Sequence, residues 1–205
     1  MKLKICGITN KKDAEDAISL GVDALGFICY SKSPRYVEAE KIHEIIYSIP
    51  PFVTSVGVFV NEDTAVINEI VKNCKLDLVQ LHGDETPEDC MKINTRVIKA
   101  FHVKSIEDIK YIGKYNGTVS GILLDTKVDG VYGGSGQSFD WGVALAAKDY
   151  GLPVILSGGI SIDNISKAVQ LVKPEALDLC SSVEQSPGLK DYEKMKDIIT
   201  LFQSL

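Results

Sequence analysis

Five side chains in this sequence are of types that move protons or hold anions, and they stand at punctuated points in the chain. Cys6 closes an apolar run and is followed by Gly7-Ile8-Thr9; Asp125 closes another, GILLD. A cysteine in such a place is either a small core hydrophobe or a nucleophile or base at the mouth of a site, and only its thiolate is reactive. The alternative for Asp125 is a helix cap or a loop carboxylate paired with Lys127. Arg35, inside KSPRYV, is either a surface ion-pair partner or a fork for a carboxylate, which a guanidinium grips with two parallel hydrogen bonds. His82 directly follows an apolar run, and Asp178 stands inside the run that leads to Cys180. Gly158-Gly159 is a plain tight turn or a close approach of backbone N–H groups to an anion, with Ser181-Ser182 as its companion.

The elements that must position these groups follow one rhythm: a short β-branched run, a turn, a segment of helical spacing, and a stop signal. The runs fall at 3–6, 23–29, 53–59, 76–81, 96–101, 119–125, 153–158 and 176–180. Asn10 opens a helix that Gly21 ends. Thr86-Pro87-Glu88 reads as cap, first-turn proline and first-turn acid. Ser105 with Asp108 predicts a helix that stops at Gly113, Ser161 begins one over Ile162–Val172, and Asp191–Phe202 forms the last. Eight near-continuous apolar strands alternating with eight helical segments predict a compact (β/α)8 barrel, an α/β fold, over 1–205 as one domain; a doubly wound open sheet is the alternative. In a barrel the chemistry gathers at the C-terminal ends of the strands, with phosphate held after strands seven and eight.

Composition narrows the field. With 22 basic and 28 acidic residues the net charge is −6, which argues against a broad nucleic-acid footprint. No apolar run reaches the length of a membrane span and no basic-then-apolar leader is present, so a cytoplasmic protein is expected. The five cysteines contain no C-x-x-C pair, so neither a disulfide framework nor a zinc ribbon is expected.

Seven strings, KICGIT (4–9), DALGFICYSKSPRYV (23–37), VGVFVN (56–61), QLHGDE (80–85), LLDT (123–126), GGSGQSFDW (133–141) and LSGGI (156–160), occur in series on this frame. Together they resemble phosphoribosylanthranilate isomerase, an enzyme of tryptophan biosynthesis that performs an Amadori rearrangement. The resemblance implies a small phosphosugar substrate, a monomer or homodimer, and neither metal nor organic cofactor. It implies Cys6 as the base that takes the sugar C2′ proton. It implies Asp125 as the acid that protonates the ring oxygen, at a buried strand end that disfavours the charged form. Arg35 would hold the anthranilate carboxylate, His82 and Asp178 would contact the substrate, and Gly158, Gly159, Ser181 and Ser182 would hold its phosphate.

Three departures stand out. Cys180-Ser181-Ser182 replaces a serine-serine-glycine string, Gln137 stands where lysine is common, and Cys29 replaces an aromatic residue. If Cys6, Cys29 and Cys180 pointed to one spot they could bind a soft metal, although alternate residues of a strand face opposite ways. Rival readings are another phosphosugar barrel enzyme, for which Lys99 is the serious lysine candidate, and a barrel that binds a phosphorylated ligand without converting it.

Overall fold

The computed structural model describes residues 1–126 and 140–205. Eight parallel strands close into a barrel in chain order: β1 (Lys2–Cys6), β2 (Ala24–Ile28), β3 (Thr54–Phe59), β4 (Leu78–Leu81), β5 (Arg96–Val103), β6 (Gly121–Thr126), β7 (Val154–Leu156) and β8 (Ala176–Leu179). β8 returns to β1 with Ile5 opposite Leu179, so no edge strand is left unpaired. Seven α-helices lie between or after them among the described residues: α1 (Lys11–Ser19), α2 (Ala39–Ile46), α3 (Thr64–Cys74), α4 (Pro87–Met91), α5 (Trp141–Ala147), α6 (Ile165–Val172) and α7 (Tyr192–Gln203). A hairpin of β9 (Glu184–Ser186) and β10 (Leu189–Lys190) follows β8.

The closed barrel was legible in the strand count. The start signals were partly so. Asn10 caps α1 by accepting from Asp13 N, and Thr86 and Asp89 form a complete capping box on α4. The helix expected after Ser105 is instead a pair of 3-10 turns, Ile106–Ile109 and Ile112–Tyr115, although the Ser105–Asp108 box does form. Its buried residues, Ile109 and Ile112, are three apart, which matches the three-residue turn better than a 3.6-residue one. The helix expected from Ile162 starts one turn later. The Asn164 carboxamide folds back, accepting from Ser161 N and donating to Gly159 O, and so holds 161–164 as a turn.

Strand alternation splits the core in two. Outward-facing residues such as Leu3, Ile5, Phe27 and Leu124 pack against the helices in one large cluster. Inward-facing Val56, Leu78, Ile98, Ala100, Leu123 and Ile155 fill the barrel toward its N-terminal end. Truncating one such residue, Leu123→Ala for example, removes about 2–5 kcal/mol. Toward the C-terminal end the inward positions turn polar: Lys4, Gln80, His82, Asp125, Ser157 and Asp178 are all buried. The apolar half holds the ring closed, and the polar half is where a reaction can be run. No helix among the described residues is long and apolar enough to cross a membrane.

Candidate active site

Lys4 and Cys6 are two residues apart on β1 and therefore share its inward face. Asp178, in register with Lys4, and Cys180, just beyond the end of β8, sit beside them. Lys4 Nζ lies 2.9 Å from Asp178 Oδ1, with both side chains buried. Burial disfavours the Lys4 charge, yet Asp178 and Cys6 together more than offset it and hold the ammonium above its usual range. Asp178 is pushed up to about 7, chiefly by burial and partly by Cys6 and Asp125, against the pull of Lys4. Cys6 is shifted the other way. A hydrogen bond with Cys180 holds it well below the ordinary thiol range, with Lys4 and Lys190 assisting against burial. The same bond, with burial, drives Cys180 well above that range.

Two glycines make room for this cluster. A Cβ on Gly26, the β2 neighbour of Cys6, would lie 2.8 Å from Cys6 Sγ and 3.0 Å from Lys4 Nζ. Gly7, at φ +76°, turns the chain directly under Arg35 and Cys180. Lys190, on the hairpin after β8, closes the seam from outside. Its Nζ donates to Cys6 O at 2.5 Å, Cys180 O at 3.3 Å and Glu184 Oε1 at 2.9 Å.

Asp125, next to last in β6, pairs with His102 of β5, and its Oδ1 accepts from Thr126 N at 2.8 Å. Oδ2 stands 3.3 Å from His82 Nε2. Gln80 Nε2 lies 2.8 Å from His82 Nδ1, so with the amide in this orientation Nδ1 accepts and Nε2 carries the proton that faces Asp125. No hydrogen bond joins His82 and Asp125, and His82 Nε2 has no hydrogen-bond partner among the described residues. His102 packs at 4.9 Å on the His82 ring and is pushed below its ordinary range by burial and by that neighbour. One ligand atom from each of His82, His102 and Asp125 lies within 4.8 Å of the others, a donor set that a divalent ion could use.

Gly158 and Gly159 follow β7 at φ +77° and +64°. Nothing larger fits at Gly158, because a Cβ there would stand 2.5 Å from Thr126 N and 2.6 Å from Asp125 Oδ1. Ser181 and Ser182 begin a 3-10 turn, Ser181–Val183, after β8. These four residues share one cleft with Asp125, Asp178 and Cys180. The expected helix terminus is displaced: α6 begins at Ile165, so the residues nearest the cleft after β7 are the glycine turn itself.

Arg35 is not a surface arginine, and it is not unattached. Its Nε and Nη2 donate to both oxygens of Glu184 at 2.7–3.0 Å. Its hydrogen bonds to Glu184 outweigh burial and lift it above its usual range. Its stem passes over Gly7, next to Cys6.

Lys99 is buried against Glu85 and donates to the carbonyls of Leu81, Gly83 and Ala100. It fastens the end of β4 and stands apart from the thiol, which removes the serious lysine candidate for a different barrel reaction. Cys29 likewise leaves the thiol cluster: it faces outward, in contact with Phe27 O, so no three-cysteine metal site forms. The 130–136 loop, Lys127 and Gln137 lie outside the described residues.

Lys4, Lys190, Glu184 and the role of Cys180 were missed in the sequence. The first had a signal, since a lysine two before Cys6 on a strand must share its face. Lys190 and Glu184 had none, because they belong to a hairpin that only the barrel's closure brings to strand one.

The closed parallel barrel gathers a thiol, a carboxyl group, the Gly158-Gly159 turn and Ser181-Ser182 at its C-terminal rim, the end where enzymes of this fold carry their sites. The comparisons with known proteins are specific. The family model described as N-(5'-phosphoribosyl)anthranilate (PRA) isomerase matches residues 3–201, and the chain belongs to this family. N-(5'-phosphoribosyl)anthranilate isomerase of Trichlorobacter lovleyi is 47% identical over 199 residues, covering 97% of this chain and 96% of its own. The crystal structure of phosphoribosyl anthranilate isomerase from Thermotoga maritima superposes with a TM-score of 0.93 at 40% identity, covering 100% of both chains. A crystal structure of the isomerase in complex with reduced 1-(o-carboxyphenylamino)-1-deoxyribulose 5-phosphate gives 0.90 at 39%, again over 100% of both.

Proposed function

We propose that the protein isomerises N-(5-phosphoribosyl)anthranilate to 1-(2-carboxyphenylamino)-1-deoxyribulose 5-phosphate, with Asp125 as acid and Cys6 as base. The observation that carries the assignment of roles is the cleft beyond β7 and β8, which Asp125, Asp178 and Cys180 line together with Gly158, Gly159, Ser181 and Ser182.

The substrate's phosphate sits between the Gly158-Gly159 turn and Ser181-Ser182, where backbone N–H groups approach an anion without a side chain in the way. Asp125 protonates the furanose ring oxygen, and the ring opens to a Schiff base. His82, with a buried Nε2 lacking a hydrogen-bond partner, is placed to meet a sugar oxygen beside it. The Cys6 thiolate then removes the C2′ proton, and the enolamine collapses to the aminoketose. Cys180, Lys4 and Lys190 favour the thiolate of Cys6 against burial, and Asp178 balances the charge of Lys4. Arg35 keeps Nη1 for the anthranilate carboxylate while Glu184 holds Nε and Nη2. General acid–base transfer of this kind supplies about 10²–10⁴-fold per group, so both must be in place for useful turnover.

The direct test follows the fluorescence of phosphoribosylanthranilate with purified protein. Its loss at a rate proportional to enzyme is expected. A stable signal would remove this activity, and slow uptake without turnover would leave a binding barrel.

A further inference from the structure

We propose that Cys6 and Cys180 form a peroxide-responsive dithiol, in which Cys180 resolves oxidised Cys6 into a disulfide. The register of β1 and β8 pairs Ile5 with Leu179, which brings the next residues, Cys6 and Cys180, side by side. Neighbouring strands lie about 4.8 Å apart, within the roughly 4.4–6.8 Å that Cα atoms of a disulfide span. A Cβ built on Gly7 would lie 3.2 Å from Cys180 Sγ, so that sulfur hangs over the chain just past Cys6.

The pair differs from the other cysteines in its place at the site and in charge. Cys180 lines the cleft and is half-buried, and Cys6 is 6% exposed. Lys4, Lys190 and Arg35 place positive charge around these two sulfurs. Cys74 and Cys90 are buried in the outer core, and Cys29 packs there too. Burial pushes the Cys29 thiol up to about 12 and the Cys90 thiol up to about 11. Thiolate character, access and a resolving partner are the conditions for reversible thiol oxidation.

The chemistry balances with a peroxide as oxidant. The Cys6 thiolate attacks one peroxide oxygen, an S–O bond forms, the O–O bond breaks, and the departing alkoxide or hydroxide takes up a proton. Cys180 then gives up its proton and attacks the sulfenic sulfur; the S–S bond forms, the S–O bond breaks and water leaves. Two thiols and one peroxide become one disulfide, one alcohol (or water) and one water.

Disulfide formation does not depend on the isomerase reading, whereas the accompanying loss of turnover does. The test treats the full chain with hydrogen peroxide, blocks residual thiols, maps the cross-linked peptides by mass spectrometry and assays turnover before and after dithiothreitol. A Cys6–Cys180 peptide that grows as activity falls, with both reversed by the reductant, is expected. In Cys180→Ser the same treatment should carry Cys6 to sulfinic acid, and dithiothreitol should no longer restore turnover. Absence of the Cys6–Cys180 peptide in the unaltered protein, or full reductant rescue of Cys180→Ser, would overturn the proposal. The wild-type map decides alone if the variant does not fold. A Cys6–Cys180 cross-link that leaves turnover intact supports the dithiol and sinks Cys6 as base.

Discussion

Lys4 and Asp178 face each other across the seam where the last barrel strand meets the first, Nζ to Oδ1 at 2.9 Å, with side chains only 5% and 4% exposed. A buried pair of this kind contributes little net stability, but removing one member leaves an uncompensated charge at a cost of about 3–5 kcal/mol. Its use here lies in what stands beside it, the Cys6 thiol.

Replacing Lys4 with methionine keeps much of the stem and removes the charge. The thiol loses its second support after Cys180, so its ionisation moves to higher pH. The rate of iodoacetamide capture at Cys6, followed against pH, should shift upward, and the acid limb of kcat/KM should shift with it. Unchanged profiles would show that Lys4 serves Asp178 alone.

Cys6→Ala and Asp125→Asn should each lower kcat by about 10³-fold or more while leaving circular dichroism unchanged, because each removes one proton-transfer group. Near-normal turnover in either variant would defeat the assignment.

Gly26→Ala adds one methyl group between Cys6 Sγ and Lys4 Nζ. Overpacking there should cost about 1–3 kcal/mol of stability, read as a lower urea midpoint, and should reduce kcat more than it raises KM. A loss confined to stability would mean that the thiol tolerates the shift.

Asp178 gives a stability signature. Its folded value near 7 lies above the ordinary carboxylate range, so between about pH 4 and pH 7 the unfolded chain binds fewer protons than the folded one. Stability therefore falls as pH rises through that window, by up to about 4 kcal/mol from this group. Asp178→Asn should flatten the fall, as measured by urea midpoints across the window.

The barrel was legible because its strands are apolar on both faces and its turns carry glycine, proline and caps at regular intervals. Cys6, Asp125 and the Gly158-Gly159 turn were legible because strand ends are where such a barrel displays side chains. The surroundings of those residues were less so. Arg35 looked ready for a carboxylate, yet its fork already grips Glu184, a residue 149 positions away. Lys4 was not singled out, since a lysine's burial depends on a partner that the local sequence does not contain. The Ser161 start failed for a local reason: Asn164 offers its carboxamide to the turn and delays the helix.

Lys190 reaches Cys6 O and Cys180 O from a hairpin near the far end of the chain, while the thiol it attends is made within the first ten residues. During synthesis, then, the thiol emerges long before its electrostatic setting exists. A nascent chain halted before residue 176 would present an unremarkable sulfhydryl, and reactivity would switch on only when the final seam zips shut.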